Sequence, residues 1–187
     1  MISPLFSRDI FKVLTVFSVS PGHKFSRNEL KEKTRLNNKN LDSALSALQA
    51  SGVLKKERRM LHADITADLP KRVIGMVSFQ YKELKEIPFA AYFSVLDVAA
   101  AVSRCRGAKA YLFGSYSKLV FNDRSDIDIA VVSGKLGEKE KALIEKAAGK
   151  AKKTYGKTVE VHYFSQDFYR SRKDPLVKEI LKGVELV

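Results

Sequence analysis

Three acidic side chains in the C-terminal half occur in a pattern that favours metal binding. Asp126 and Asp128 lie two positions apart in an apolar segment that predicts a strand over residues 125–132. Both carboxylates therefore project from one face of that strand. Two adjacent carboxylates repel each other unless a cation lies between them. Hard oxygen ligands of this kind suit Mg²⁺, or Mn²⁺, together with the phosphates of a substrate.

Glu160 offers a third carboxylate. It lies between Val159 and Val161 in a strand predicted over residues 158–164. Because these valines face the core, we expect Glu160 to face the same cleft as the two aspartates. Carboxylates around two metal ions form a site that activates an attacking oxygen and stabilises a leaving one. His162 is on the same face as Glu160, and we interpret it as a bystander rather than a ligand or a base.

Gly114 and Ser115 form a candidate phosphate-binding turn after a short strand predicted over residues 110–113. Glycine has no Cβ, so its backbone can approach a phosphate closely. The serine can donate its hydroxyl and its N–H to the β- and γ-phosphates of a triphosphate. Lys118 and Arg124 follow the turn and can neutralise the charge of a triphosphate.

The segment from Leu112 to Val132 joins these features in one pattern: Gly-Ser, ten residues, then Asp-x-Asp. It resembles the signature of the DNA polymerase beta superfamily of nucleotidyltransferases, and the similarity, closest to the small members, covers residues 89–165. The resemblance implies transfer of a nucleoside monophosphate from a nucleoside triphosphate, for which we expect ATP, to an acceptor hydroxyl with release of pyrophosphate. It also implies that Glu160 helps to deprotonate the acceptor and that Lys118 is the basic residue at the nucleotide.

One position departs from the family pattern. Relatives usually have a glycine four residues after the serine, where this chain has Leu119. The run over residues 119–121 is apolar, which predicts either an altered loop over the nucleotide or a surface for a partner. Small members of the superfamily often act as antitoxins that modify a partner toxin, so the resemblance also implies a possible protein acceptor.

The first 66 residues predict a separate module. Their order, three helices followed by a hairpin, and the phrase LSALQASGVL resemble winged-helix proteins. A protein-docking module is the alternative for such a domain. The predicted elements are helices over residues 7–19 and 39–51, a short helix that a capping box of Ser26 and Glu29 opens, and strands at residues 53–54 and 61–66.

Positive charge in this module is concentrated where a winged helix meets DNA. Residues 1–66 contain 12 Lys and Arg against 6 Asp and Glu. In helix-turn-helix proteins the start of the recognition helix meets base edges, while flanking basic side chains bind phosphates. The residues that we predict to contact duplex DNA are Asn38, Lys39, Asn40 and Ser43 on the third helix and Lys55, Lys56, Arg58 and Arg59 at the hairpin.

The composition of the 187 residues is consistent with a polyanionic partner. There are 34 Lys and Arg against 21 Asp and Glu, a net charge of +13, and such an excess favours nucleic acids and other polyanions. The single cysteine, Cys105, cannot form an internal disulfide and indicates a reducing compartment. Neither a signal peptide pattern nor an apolar run of ~18 residues is evident, so we expect a cytoplasmic protein that does not enter a membrane.

We therefore expect an α/β (α+β) nucleotidyltransferase fold, with a small mixed sheet flanked by helices, over residues 89–187. A winged helix-turn-helix domain over residues 1–66 and a linking helix over residues 67–88 precede it. The predicted function is metal-dependent nucleotidyl transfer. The alternative is a DNA-binding transcriptional regulator whose nucleotidyltransferase domain only binds a nucleotide or a protein partner. Leu119 and the basic first domain favour this alternative, and the intact set of glycine, serine and acidic residues opposes it.

Overall fold

A computed structural model describes residues 7–84 and 86–187. The chain divides into two compact units, whose described residues are 7–84 in the first and 86–187 in the second. Among the helices of these residues, none has both the length and the apolar composition that crossing a membrane requires.

The first unit is built around a central buried helix. Its elements are helices α1 (Arg8–Val19), α2 (Arg27–Thr34), α3 (Asn38–Ala50) and α4 (Asp68–Tyr81), a 3-10 turn (Lys82–Leu84), and strands β1 (Phe25–Ser26), β2 (Lys55–Glu57) and β3 (Met60–His62). The strands form an antiparallel sheet in the order β1-β3-β2. Helix α1 packs against α2, α3 and α4, and its side chains Phe11, Leu14 and Phe17 are buried. The capping box of Ser26 and Glu29 is present, which confirms that prediction.

The strands of the hairpin differ from their predicted positions. Val53 and Leu54 form no strand, because the N–H groups of both residues bond to the carbonyl of Leu48, each at 3.0 Å. These bonds attach the two residues to the C-terminal end of α3. Strand β3 is shorter than predicted because the Asp64 carboxylate accepts hydrogen bonds from the N–H and hydroxyl of Thr66, which makes a turn.

The helix that the sequence places between two domains is α4. It packs against α1 within the first unit, and its side chains Val73, Ile74 and Val77 are buried. The described part of the first unit therefore continues past residue 66 to the 3-10 turn that follows α4.

The second unit contains a small mixed sheet flanked by helices, as predicted, and the sheet has four strands where the sequence predicted three. The sheet has the order β6-β5-β4-β7, in which only the β5–β6 pair is parallel. Helix α5 packs against α7, β4 and β5, and α8 packs against β4. The elements are α5 (Phe89–Val102), β4 (Lys109–Phe113), α6 (Gly114–Ser117), β5 (Ile127–Val132), α7 (Glu138–Tyr155), β6 (Val159–Phe164), a 3-10 turn (Gln166–Arg170), α8 (Pro175–Leu181) and β7 (Val184–Glu185).

Strand β5 is shorter than predicted and buries both of its faces. It does not include Ser125, whose hydroxyl accepts the N–H of Asn122 and whose own N–H bonds to the Asn122 carbonyl. Ala130 belongs to a buried cluster that includes Val177 and Ile180 of α8. Because side chains alternate along a strand, Asp128 lies on the same face of β5 as Ala130, at the N-terminal end of the strand.

Candidate active site

The parallel pairing of β5 with β6 brings two of the predicted acids together. Asp128 and Glu160 are register partners, and Asp128 is also the partner of Phe113 on β4. His162 follows Glu160 by two positions, so it projects from the same face. Its Nε2 atom lies 3.6 Å from Asp128 Oδ1 and 4.0 Å from Glu160 Oε2.

These three side chains make a possible metal centre. Each offers one ligand atom, and the three ligand atoms all lie within 4.8 Å of one another. Within residues 7–84 and 86–187, this is the group of three acidic or histidine side chains with that spacing. Asp126 stands outside this group: it precedes the first residue of β5 and its side chain is exposed. The close pair of acids is therefore Asp128 and Glu160 on two adjacent strands, while Asp126 stays near enough for its charge to act on Asp128 and its role as a ligand stays a prediction.

His162 is the site residue that the sequence interpretation underestimated. The spacing of two residues from Glu160 already places it on the same face of the strand. What the sequence does not contain is the register of β5 against β6, and that register sets the short distances from the imidazole to both carboxylates.

The electrostatics at Asp128 favour a cation. Burial raises the pKa of the Asp128 carboxyl above its usual range, and the charges of Glu160 and Asp126 raise it further, against the opposing effect of His162. Only 26% of the Asp128 side chain is exposed, compared with 54% for Glu160. A bound divalent cation would reverse the shift, because a positive charge stabilises the ionised form.

Gly114 connects the candidate phosphate turn to this carboxylate. Its φ of 71° lies in the left-handed region that glycine adopts without strain. A Cβ placed there would collide with the Asp128 carboxylate. The position therefore needs glycine for two reasons, and its backbone lies directly against the candidate metal ligand.

The turn that follows Gly114 is held by short contacts. The Val120 N–H bonds to the Ser115 carbonyl at 3.0 Å, and the Tyr116 ring stacks on Phe121 with centroids 4.5 Å apart. Leu119, which occupies the position of the family's glycine, has a φ of 58°. An L-residue pays about 1–2 kcal/mol for this conformation, so a glycine at this position would relieve backbone strain.

Lys118 and Arg124, the basic residues predicted to bind the nucleotide, form no contact with the acidic cluster among the residues that the structure describes. Lys118 forms an ion pair with Glu179 of α8, with Nζ 2.6 Å from Oε1. The Arg124 side chain is exposed, and its backbone N–H donates to the side chain of Asn122. Ion pairs as exposed as that of Lys118 contribute about 0–1 kcal/mol, so the lysine can exchange its partner at little cost.

Comparison with known families agrees with this geometry. Residues 105–187 match the family model described as Polymerase beta, Nucleotidyltransferase. The match supports the polymerase beta superfamily and a nucleotidyltransferase-type function, with a nucleoside triphosphate as substrate. Members of this family typically use a divalent metal, and the acidic cluster lies inside the matched residues. Neither the comparison with curated proteins nor that with solved structures gave a match.

The nucleotidyltransferase match does not include the first unit, where the predicted DNA-contacting residues lie. Lys56 and Arg59 of the hairpin line a groove of about 500 Å³ together with exposed residues of α3. Lys55 is paired with Asp64, at 3.0 Å, and Arg58 lies in the turn with a φ of 56°. The other residues that line the groove are Ser26, Arg27, Asn28, Asp42, Leu45, Ser46, Gln49 and Leu61.

The start of α3 is engaged in contacts within the unit. The Asn40 amide donates to Asp9 of α1 at 2.8 Å. Asn38 accepts from Arg27, which also holds Asp42 through two hydrogen bonds. Lys39 and Ser43 are exposed. The predicted DNA-contacting set thus divides into outward-facing residues and residues that connect α3 to its neighbours.

Proposed function

We propose that residues 105–187 transfer a nucleoside monophosphate from a nucleoside triphosphate, with ATP as the first candidate, to an acceptor hydroxyl. One observation carries the proposal: Asp128 and Glu160 are register partners on adjacent strands, and the Gly114 turn lies directly against Asp128. This contact between the proposed metal ligand and the proposed phosphate-binding turn supports the assignment. The family match over the same residues supports the reaction class.

The chain's own residues have distinct proposed tasks. Asp128 and Glu160 hold Mg²⁺ or Mn²⁺, and Asp126 joins them from the exposed loop before β5. The metal, when bound, neutralises phosphate charge and lowers the pKa of an oxygen that it contacts. Ser115 donates to the phosphates, and Lys118 moves from Glu179 to the triphosphate. Glu160, the more exposed acid of the pair, accepts the proton of the acceptor hydroxyl.

The test of catalysis is transfer of label from a triphosphate labelled at the α-phosphate, with pyrophosphate release measured in parallel. Glu160→Gln should lower the rate by about 10²-fold or more, because it removes both the proposed base for the acceptor hydroxyl and a proposed metal ligand. Glu138→Gln is the matched control, since Glu138 is 91% exposed on α7. An unchanged rate in Glu160→Gln would remove that residue from the mechanism.

The acceptor that we propose is a hydroxyl of a partner protein, as for a toxin modified by its antitoxin. This part of the proposal rests on the resemblance to small members of the superfamily. The product of the adjacent gene is the first acceptor to test with labelled triphosphate. Label that appears on small molecules or RNA and never on that protein would reject the antitoxin role.

We also propose that the first unit is a winged helix that binds duplex DNA. The support is the element order, the three-stranded sheet at the hairpin, and the groove in which Lys56 and Arg59 lie beside α3. Binding should weaken steeply with salt, with a slope of about −0.9 per neutralised phosphate. Changing both residues to alanine should flatten this slope by about 2 units.

The control for DNA binding removes the same charge elsewhere. Lys146→Ala with Lys150→Ala changes two exposed residues of α7 in the second unit, and should leave the slope unchanged. If both pairs of substitutions flatten the slope equally, binding reflects net charge and not this groove. If the full chain has no affinity for duplex DNA at low salt, the unit is a protein-docking module.

The second candidate function is a DNA-binding regulator whose nucleotidyltransferase domain binds a nucleotide without turnover. The observation that favours it is the exposed apolar pair Leu119 and Val120, at 51% and 70% exposure, in the turn that follows Ser115. The discriminating result is nucleotide binding with no pyrophosphate release for any acceptor tested. Restoration of turnover by Leu119→Gly would identify this residue as the cause.

A further inference from the structure

The imidazole of His162 is directed into the acidic cluster, where Nε2 lies 3.6 Å from Asp128 Oδ1, just beyond ordinary hydrogen-bond length. Although 41% of the side chain is exposed, its Nε2 atom is inaccessible and without a hydrogen bond within the described residues. The ring packs against Phe113 in a T-shaped arrangement, with centroids 5.3 Å apart and planes at 66°. The ring is therefore held with one nitrogen facing Asp128 and Glu160.

Neither carboxylate lies within ordinary hydrogen-bond length of Nε2, so the imidazole contacts both acids at ion-pair distance and no strong bond commits it to either. The three ligand atoms all lie within 4.8 Å of one another, which is near the spacing of ligands around a shared ion. Donor atoms about 2.0–2.2 Å from one tetrahedral metal lie about 3.4 Å apart. The separations from Nε2 to the two carboxylates are 3.6 and 4.0 Å.

We propose that His162 is a third ligand of the ion held by Asp128 and Glu160, and that the site prefers a divalent transition metal such as Zn²⁺ or Co²⁺ to Mg²⁺. This inference rests on the proposed function, because it assumes that the two carboxylates hold a metal. It adds a nitrogen ligand to a set for which the sequence predicted only oxygen. Imidazole suits zinc and the other late transition metals, whereas Mg²⁺ selects carboxylate, phosphate and water oxygens.

The experiment measures metal affinity without nucleotide and without activity. Metal-free full-length protein is titrated calorimetrically with Zn²⁺, Co²⁺ and Mg²⁺ in turn. The parent should bind Zn²⁺ and Co²⁺ more tightly than Mg²⁺. His162→Gln should weaken Zn²⁺ and Co²⁺ at least about tenfold, and Mg²⁺ less than about threefold, because only the nitrogen ligand is lost.

Two controls separate this inference from the proposed function. His62→Gln, on β3 of the first unit, removes a partly exposed histidine and should change no affinity. Asp128→Asn should weaken all three metals. If Asp128→Asn does so while His162→Gln leaves the Zn²⁺-to-Mg²⁺ ratio unchanged, His162 is not a ligand and the carboxylate site stands. If neither substitution changes any affinity, the metal site itself is wrong.

A second measurement does not depend on folding of a variant. Pulsed electron paramagnetic resonance of the parent loaded with Mn²⁺ detects magnetic coupling to a ligating imidazole nitrogen. The inference predicts this coupling at one ion per chain. Its absence from a fully loaded sample would overturn the assignment of His162, whether or not His162→Gln folds.

Discussion

Replacement of Gly114 by alanine tests the packing of the phosphate turn against the metal ligand. Two costs are expected in this variant. Alanine at a φ of 71° pays about 1–2 kcal/mol for the left-handed conformation. Its Cβ would also collide with the Asp128 carboxylate, and overpacking of this kind costs about 1–3 kcal/mol. The free energy of unfolding should therefore fall by roughly 2–5 kcal/mol.

Gly107 supplies the matched control, because it belongs to the same unit and differs only in its surroundings. Its φ is 73°, and a Cβ there would meet nothing within 4 Å. Gly107→Ala should thus pay the backbone cost alone, about 1–2 kcal/mol. Urea unfolding of both variants gives the collision cost as the difference between them.

A double-mutant cycle identifies the group with which the new Cβ collides. In an Asp128→Ala background the carboxylate is gone, so Gly114→Ala should cost no more than Gly107→Ala. The coupling energy should then be about 1–3 kcal/mol. If the effects of Gly114→Ala and Asp128→Ala add without coupling, the turn does not lie against Asp128 and the site geometry is wrong.

Two further predictions concern the first unit. The hydrogen bond from the Thr66 hydroxyl, followed by that from the Lys55 ammonium, lowers the pKa of Asp64 to about 2. Its carboxylate therefore stabilises the fold above pH about 4 and loses this effect as the pH falls toward about 2. Asp64→Asn should flatten acid unfolding in that window, and an unchanged acid titration would contradict this. Asn40→Ala should lower the unfolding free energy by about 1–2 kcal/mol, because the amide donates to the Asp9 carboxylate. If Asn40→Ala leaves the stability unchanged but the protein no longer discriminates between DNA sites, Asn40 contacts DNA bases as the sequence predicted.

The elements that depend on local pattern could be predicted from the sequence. The capping box at Ser26, the apolar stripe of α3 and the alternation along β5 and β6 are properties of neighbouring residues, and each predicted its element to within a few positions. The two-residue strands β1 and β7 could not be predicted in this way. Each exists only because it pairs with a strand distant in the sequence, β3 for β1 and β4 for β7.

The site shows the same division. The spacing of Asp128 from Gly114 and the face of the strand on which Glu160 lies can be read from the sequence, and the structure brings these residues together. The register of β5 against β6 cannot be read in this way, and it decides that His162 lies beside both carboxylates. The contacts of Asn40 and Lys118 are also tertiary, since Asp9 and Glu179 are far away in the chain.

The most direct test of the central claim is calorimetric titration of the full chain with ATP, with and without a divalent metal. The account predicts that binding requires a divalent metal and is lost in the double variant Asp128→Asn with Glu160→Gln, whose urea unfolding should show that the fold is retained. Equal ATP affinity in the parent and the folded double variant would contradict the assignment of this strand pair as the nucleotidyltransferase site.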